Sequence, residues 1–177
     1  MRSILLVLSG LLFIGCASSE AGDAVPGSIR VEGDVAHPRA WTGVEIAAEM
    51  PEALRVIEHQ AKDRTYRLRA LPLSRLIRAA EPRIDSSRKN HALAFAVAVS
   101  ARDGYTVVFD YDEVVPFKDA KDRVFLAIAE EAGPLPGNLG PARLVVEGEG
   151  GDARKMHSVD RIRVLDLADP RRPDPKP

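Results

Sequence analysis

The chain reads as a β-rich α+β protein, and three observations lead there. Short apolar runs with strand-like alternation recur across residues 29–167, separated by polar or Gly/Pro-rich punctuation. Helical spacing shows in only two or three places, each brief. The hydrophobic fraction of 45% is enough for a core. Short strands with a few short helices define a mixed sheet packed with helices.

The elements follow in chain order, beginning with a leader. Met1 and Arg2 give a short positive segment, and the apolar run Ile4 to Ile14 is broken only by Ser9 and Gly10. That run falls short of the roughly 20 residues that span a bilayer, and it has the length and flanks of a secretory signal. It ends in Phe13-Ile14-Gly15-Cys16, which resembles the lipobox of bacterial lipoproteins. The resemblance implies cleavage before Cys16 and acylation of its thiol, with 1–15 as signal peptide and 16–27 as a flexible tether. An ordinary cleavable signal with an accidental cysteine is the competing reading. Ala17, in place of Asp, resembles lipoproteins sorted to an outer membrane, which implies an envelope protein facing the periplasm and partnered with the membrane through Cys16.

Ile29 to Val35 alternates and predicts a strand. Thr42 caps a short helix through Met50, with Glu45 completing a capping box, and Pro51 stops it. Leu54–His59 and Thr65–Leu71 predict two strands. Pro72–Ala80 predicts an amphipathic helix with Pro at its start. After a polar loop, Glu81–Asn90, the run His91–Ala101 predicts a buried strand. Asp103-Gly104 is a hairpin signal, both positions being expected at positive φ, and Tyr105–Phe109 is the returning strand. A short helix within Tyr111–Phe117, a strand at Arg123–Ala129, a constrained loop at Gly133–Pro141 and strands at Arg143–Val146 and Ile162–Leu167 complete the domain, 28–168. Residues 169–177 hold four prolines and five charges and predict a disordered tail.

From Ile29 to Leu167 the order of these signals resembles the molybdopterin-binding domain of the sulfite oxidase family. The resemblance rests on the strand from Ile29 to Pro38, the helix ending at Pro51, the strand and Leu-rich helix Arg67–Ala80, the Ala-x-Asp-Gly-Tyr turn Ala101–Tyr105 and Gly-Pro-x-Arg-Leu-Val at Gly140–Val145. The Ile-x-Val strand at Ile162–Val164 closes it. It implies a sulfite-oxidase-like fold. It also implies molybdopterin as cofactor, but three departures stand against catalysis. The enzymes hold molybdenum through a protein cysteine, and no cysteine follows Cys16. Glu147 stands where they carry Pro, and Met156-His157-Ser158 replaces their basic and aromatic residues. The expectation is a non-catalytic lipoprotein without a cofactor, binding a small ligand or an envelope protein partner. The alternative is a molybdopterin-dependent oxidoreductase that holds its cofactor without a protein cysteine.

The remaining composition narrows the chemistry. A single cysteine committed to lipid leaves no thiolate for catalysis, redox cycling or metal binding. Removing the first 15 of 177 residues leaves 24 basic and 26 acidic side chains, so no nucleic-acid partner is expected. Arg143, Tyr105 and His157 are the candidate ligand-binding residues, with Arg154 and Lys155 as further cations for an anionic group. Arg143 reads first as a strand residue paired with a nearby carboxylate, with anion binding as the functional alternative. Tyr105 reads as packing beside its turn. Asp110, Asp112 and Glu113 lack the other ligands of a calcium loop and read as a solvated turn with helix capping. His37, His59, His91 and His157 are scattered without an i, i+4 pair, so no zinc site is expected.

Overall fold

A computed structural model describes residues 27–61, 64–118, 120–149 and 154–170. Cys16, the leader, the tether up to residue 26 and tail residues 171–177 lie outside the described residues. Among the described residues ten strands form two five-stranded sheets, accompanied by three short α-helices, which establishes the β-rich α+β class. Among the described residues no helix is long and apolar enough to cross a membrane.

The first sheet has the order β2 (Arg39–Thr42), β1 (Ser28–Gly33), β10 (Val159–Asp166), β5 (Phe95–Ala101), β6 (Thr106–Asp110). β1 and β10 run parallel, with Arg30 opposite Arg161 and Gly33 opposite Val164; the other pairs are antiparallel. The second sheet has the order β3 (Arg55–Ala61), β4 (Arg64–Pro72), β7 (Val124–Glu130), with β8 (Gly133–Pro134) and β9 (Arg143–Val146) both on the far edge of β7. Val124 and Leu126 join Ile29, Trp41, Phe109 and Ile162 in the main core, while Phe125 and Ala127 join Ile57, Leu68 and Val145 in a second cluster. β7 is thus apolar on both faces, which explains its unbroken apolar sequence.

The helices obey their local signals. α1 (Gly43–Glu49) starts at the Thr42 cap: the Thr42 hydroxyl accepts from the Glu45 backbone N–H, and the Glu45 carboxylate accepts from the Thr42 N–H at 2.7 Å. α2 (Leu73–Ala79) buries Leu73, Leu76 and Ile77, and its Ser74 hydroxyl donates to Asp122 at 2.6 Å. α3 (Tyr111–Val114) begins after Asp110, whose side chain makes no capping bond, contrary to expectation.

Other expectations need correction. The strand expected from His91 begins only at Phe95, because His91–Ala94 forms a 3₁₀ turn entered through Asn90 at φ 58°. At the β5–β6 hairpin only Gly104 has positive φ, 88°. Gly104 N–H bonds the Ala101 carbonyl and Ala101 N–H bonds the Tyr105 carbonyl. The connection is therefore a three-residue loop with glycine in the left-handed position, and Asp103 does not need it. Gly133–Pro141 contains the short strand β8 and a cis Gly140–Pro141 bond. The last strand starts at Val159, ahead of the expected Ile162.

Candidate functional site

Tyr105 and His157 come together. They line one cleft of about 350 Å³ with Arg102, Asp103, Lys155 and Ser158. The hairpin loop supplies one wall. Asp103 accepts the Tyr105 backbone N–H at 3.0 Å, which shapes the turn and leaves the Tyr105 ring half exposed. The other wall is the segment leading into β10. Met156 bridges to Leu144 of β9, and Ser158 follows at φ 53° with its hydroxyl donated to the Asn138 carbonyl at 3.1 Å. Arg102 N–H bonds the Ser158 carbonyl at 3.1 Å and ties the two walls together.

Arg143 does not line this cleft. It is 5% exposed on β9, and its Nη2 donates to Nε2 of His59, which is 4% exposed, at 2.5 Å. The guanidinium lies 5.4 Å from the Tyr66 ring centroid, within cation–π range. Arginine only donates, so Nε2 of His59 accepts and its ring proton sits on Nδ1. Arg143 still acts on the cleft through its field. The His157 imidazole is held below its ordinary value, first by desolvation and then by the positive charge of Arg143. The neutral ring can both donate and accept a hydrogen bond.

Arg154 is engaged elsewhere. It bonds Glu113 at 2.7 Å and Glu149 through two nitrogens, and it lies over Phe109. Asp112 is exposed, and Glu113 is a partner of Arg154, so the acidic trio is divided between solvent and an ion pair.

This donor set does not fit an anionic pterin with its metal. Arg143 and Arg154, both proposed for its phosphate, are committed within the fold, and no thiolate exists in the domain. No group of three or more His, Cys, Asp or Glu side chains that could hold a metal ion occurs among the described residues. The arrangement can instead hold a small polar molecule between an aromatic ring, a neutral imidazole and the two cations Arg102 and Lys155.

Sequence reasoning missed Arg102, which looks like an ordinary turn residue, and the cluster of Arg88, His91 and Asp166. His91 lies in an otherwise apolar run, and its partner Asp166 stands near the other end of the chain. No protein-family model matches the chain, and no curated protein matches it.

Proposed function

We propose that the protein is a non-catalytic envelope lipoprotein, anchored by acylated Cys16, whose sulfite-oxidase-like domain binds a small polar ligand. The convergence of Tyr105 and His157 in one cleft, from either side of the β9 strand in sequence, is the observation that carries this reading. Arg102 and Lys155 give the cleft a positive balance against Asp103, which favours ligands with an acidic group. Commitment of Arg143 to His59 supports a structural role for the family's most recognisable basic residue here, and with it the loss of the cofactor.

The test uses the full chain isolated from bacterial membranes. Mass spectrometry of the N-terminal peptide should find Cys16 acylated, and metal and pterin content should be far below one per chain. Tyr105→Ala and His157→Ala should each abolish binding of a ligand found by screening small anionic metabolites against the same preparation. Stoichiometric molybdenum with pterin would overturn the reading and install the oxidoreductase alternative. An unmodified Cys16 would remove the anchor.

A further inference from the structure

A second cleft, of about 460 Å³, lies against the loop before β5 and is independent of the site above. Its lining includes Asp85, Arg88, His91, Leu93 and Phe117. The His91 side chain is 4% exposed, and its ring meets Phe95 edge-on at 5.2 Å. Three groups converge on its two nitrogens. The Asp85 backbone N–H donates to Nδ1 at 2.9 Å. The Asp166 carboxylate lies 3.2 Å from Nε2, and Nη1 of Arg88 lies 2.8 Å from the same atom.

The contact with Nε2 is the only side-chain hydrogen bond of Arg88 among the described residues. Arginine carries five N–H donors, so the guanidinium keeps donors for a ligand in the cleft it lines. Its charge also acts on the Asp85 carboxylate, which bonds Ser87.

Beside it stand two large apolar side chains left in water, Leu93 at 62% and Phe117 at 51% exposure, above Ile84 and Ala92. Asn90 in one wall and Lys118 next to Phe117 hold positive φ of 58° and 53°. Strained non-glycine backbone of this kind concentrates at ligand clamps and active sites. We propose that this cleft binds a small amphipathic anion. Its acidic group bonds Arg88, which supplies the charge-assisted donor. Its apolar body lies against Leu93 and Phe117 and removes them from water. The class is an aryl or short aliphatic carboxylate.

The test follows backbone amide resonances of the full chain in lipid nanodiscs during titration with phenylacetate. The amides of Asp85, Asn90 and Leu93 should move saturably. Inorganic phosphate, lacking the apolar body, and 2-phenylethanol, lacking the charge, should each bind at least about tenfold more weakly, the first through lost apolar burial and the second through the lost charge-assisted hydrogen bond. Arg88→Gln, on an exposed loop, should weaken phenylacetate by a similar factor while leaving distant amides unchanged. Phe117→Ala should weaken it too. Unmoved amides, equal binding of 2-phenylethanol, or full binding by Arg88→Gln would each overturn the proposal.

Discussion

Arg143 carries a fixed positive charge into a setting that is almost closed to water, and its contacts there decide its role. Its stem packs in the second sheet, its head stacks on Tyr66, and Nη2 donates to His59. The sequence placed this arginine correctly on a strand but left two readings of its charge, because partners in other strands are not visible from β9 itself. His59 stands on β3, at the opposite edge of the sheet order. Arg143→Met retains much of the apolar stem but removes the donor to His59. It should destabilise the domain by about 1–3 kcal/mol, read as a lower midpoint in urea unfolding. The same substitution should release His157. That imidazole is depressed by desolvation and by Arg143, so in the folded state it remains neutral at pH values where the unfolded chain is already protonated. The unfolded state then binds more protons, and stability rises with pH. The contribution is complete above the ordinary value of 6.5 and is lost as pH falls from there through the depressed folded value. An NMR titration should place His157 below 6.5, and Arg143→Met should move it upward. A stability profile that keeps its full slope over this window in His157→Gln would show that another group is responsible.

Elements were legible where local chemistry alone determines them. The Thr42–Glu45 box, Pro72 at the start of α2 and the alternation of β1 needed no knowledge of the rest of the fold. Boundaries failed where one apolar run serves two elements. His91 to Ala101 is nearly continuous in composition, and only the left-handed Asn90 and the polar partners of His91 divide a 3₁₀ turn from β5. Gly33 and Gly104 show why glycine in a sequence is an ambiguous sign. Both have positive φ, 96° and 88°. Around Gly104 an added Cβ would meet nothing within 4 Å, so Gly104→Ala should cost only the conformational strain, about 1–2 kcal/mol. At Gly33 the added Cβ would lie 2.1 Å from the Val164 carbonyl oxygen, on the backbone of the parallel neighbour. That atom cannot move without breaking the β1–β10 pairing, where Asp34 N–H bonds the same carbonyl at 2.8 Å. Gly33→Ala should therefore be much the more damaging of the two. Calorimetry of both variants gives the comparison, and equal melting temperatures would show that β1 can shift away from β10.

At the scale of the whole molecule, the least legible feature is the position of β10. Nothing in the sequence Val159–Asp166 says that it lies in the centre of the first sheet, between the first strand of the domain and β5. Its pairing with β1 joins residues more than a hundred positions apart, such as Arg30 and Arg161, and its pairing with β5 joins residues such as Val99 and Ile162, and no local signal reports such partners. β10 buries Val159, Ile162 and Val164 and pairs with Ile29–Gly33 on one side and Phe95–Ala101 on the other. Asp34 and Asp166 add a further link, the Asp166 N–H donating to the Asp34 carboxylate at 2.6 Å. Without β10, the β1–β2 pair has no connection to β5 and β6 within that sheet, and a two-stranded ribbon is marginal on its own. Folding must close the loop from β1 to β10 before the parallel β1–β10 pairing forms, which places the domain among slowly folding, nonlocal topologies. A chain ending at Ser158 should therefore show no cooperative thermal transition and little amide dispersion. Adding a peptide of residues 159–170 should restore part of both, because it returns the central strand without having to close that loop. A truncated chain that melted cooperatively near the temperature of the intact protein would mean that the second sheet and its helices form the stable unit, with the first sheet attached to it.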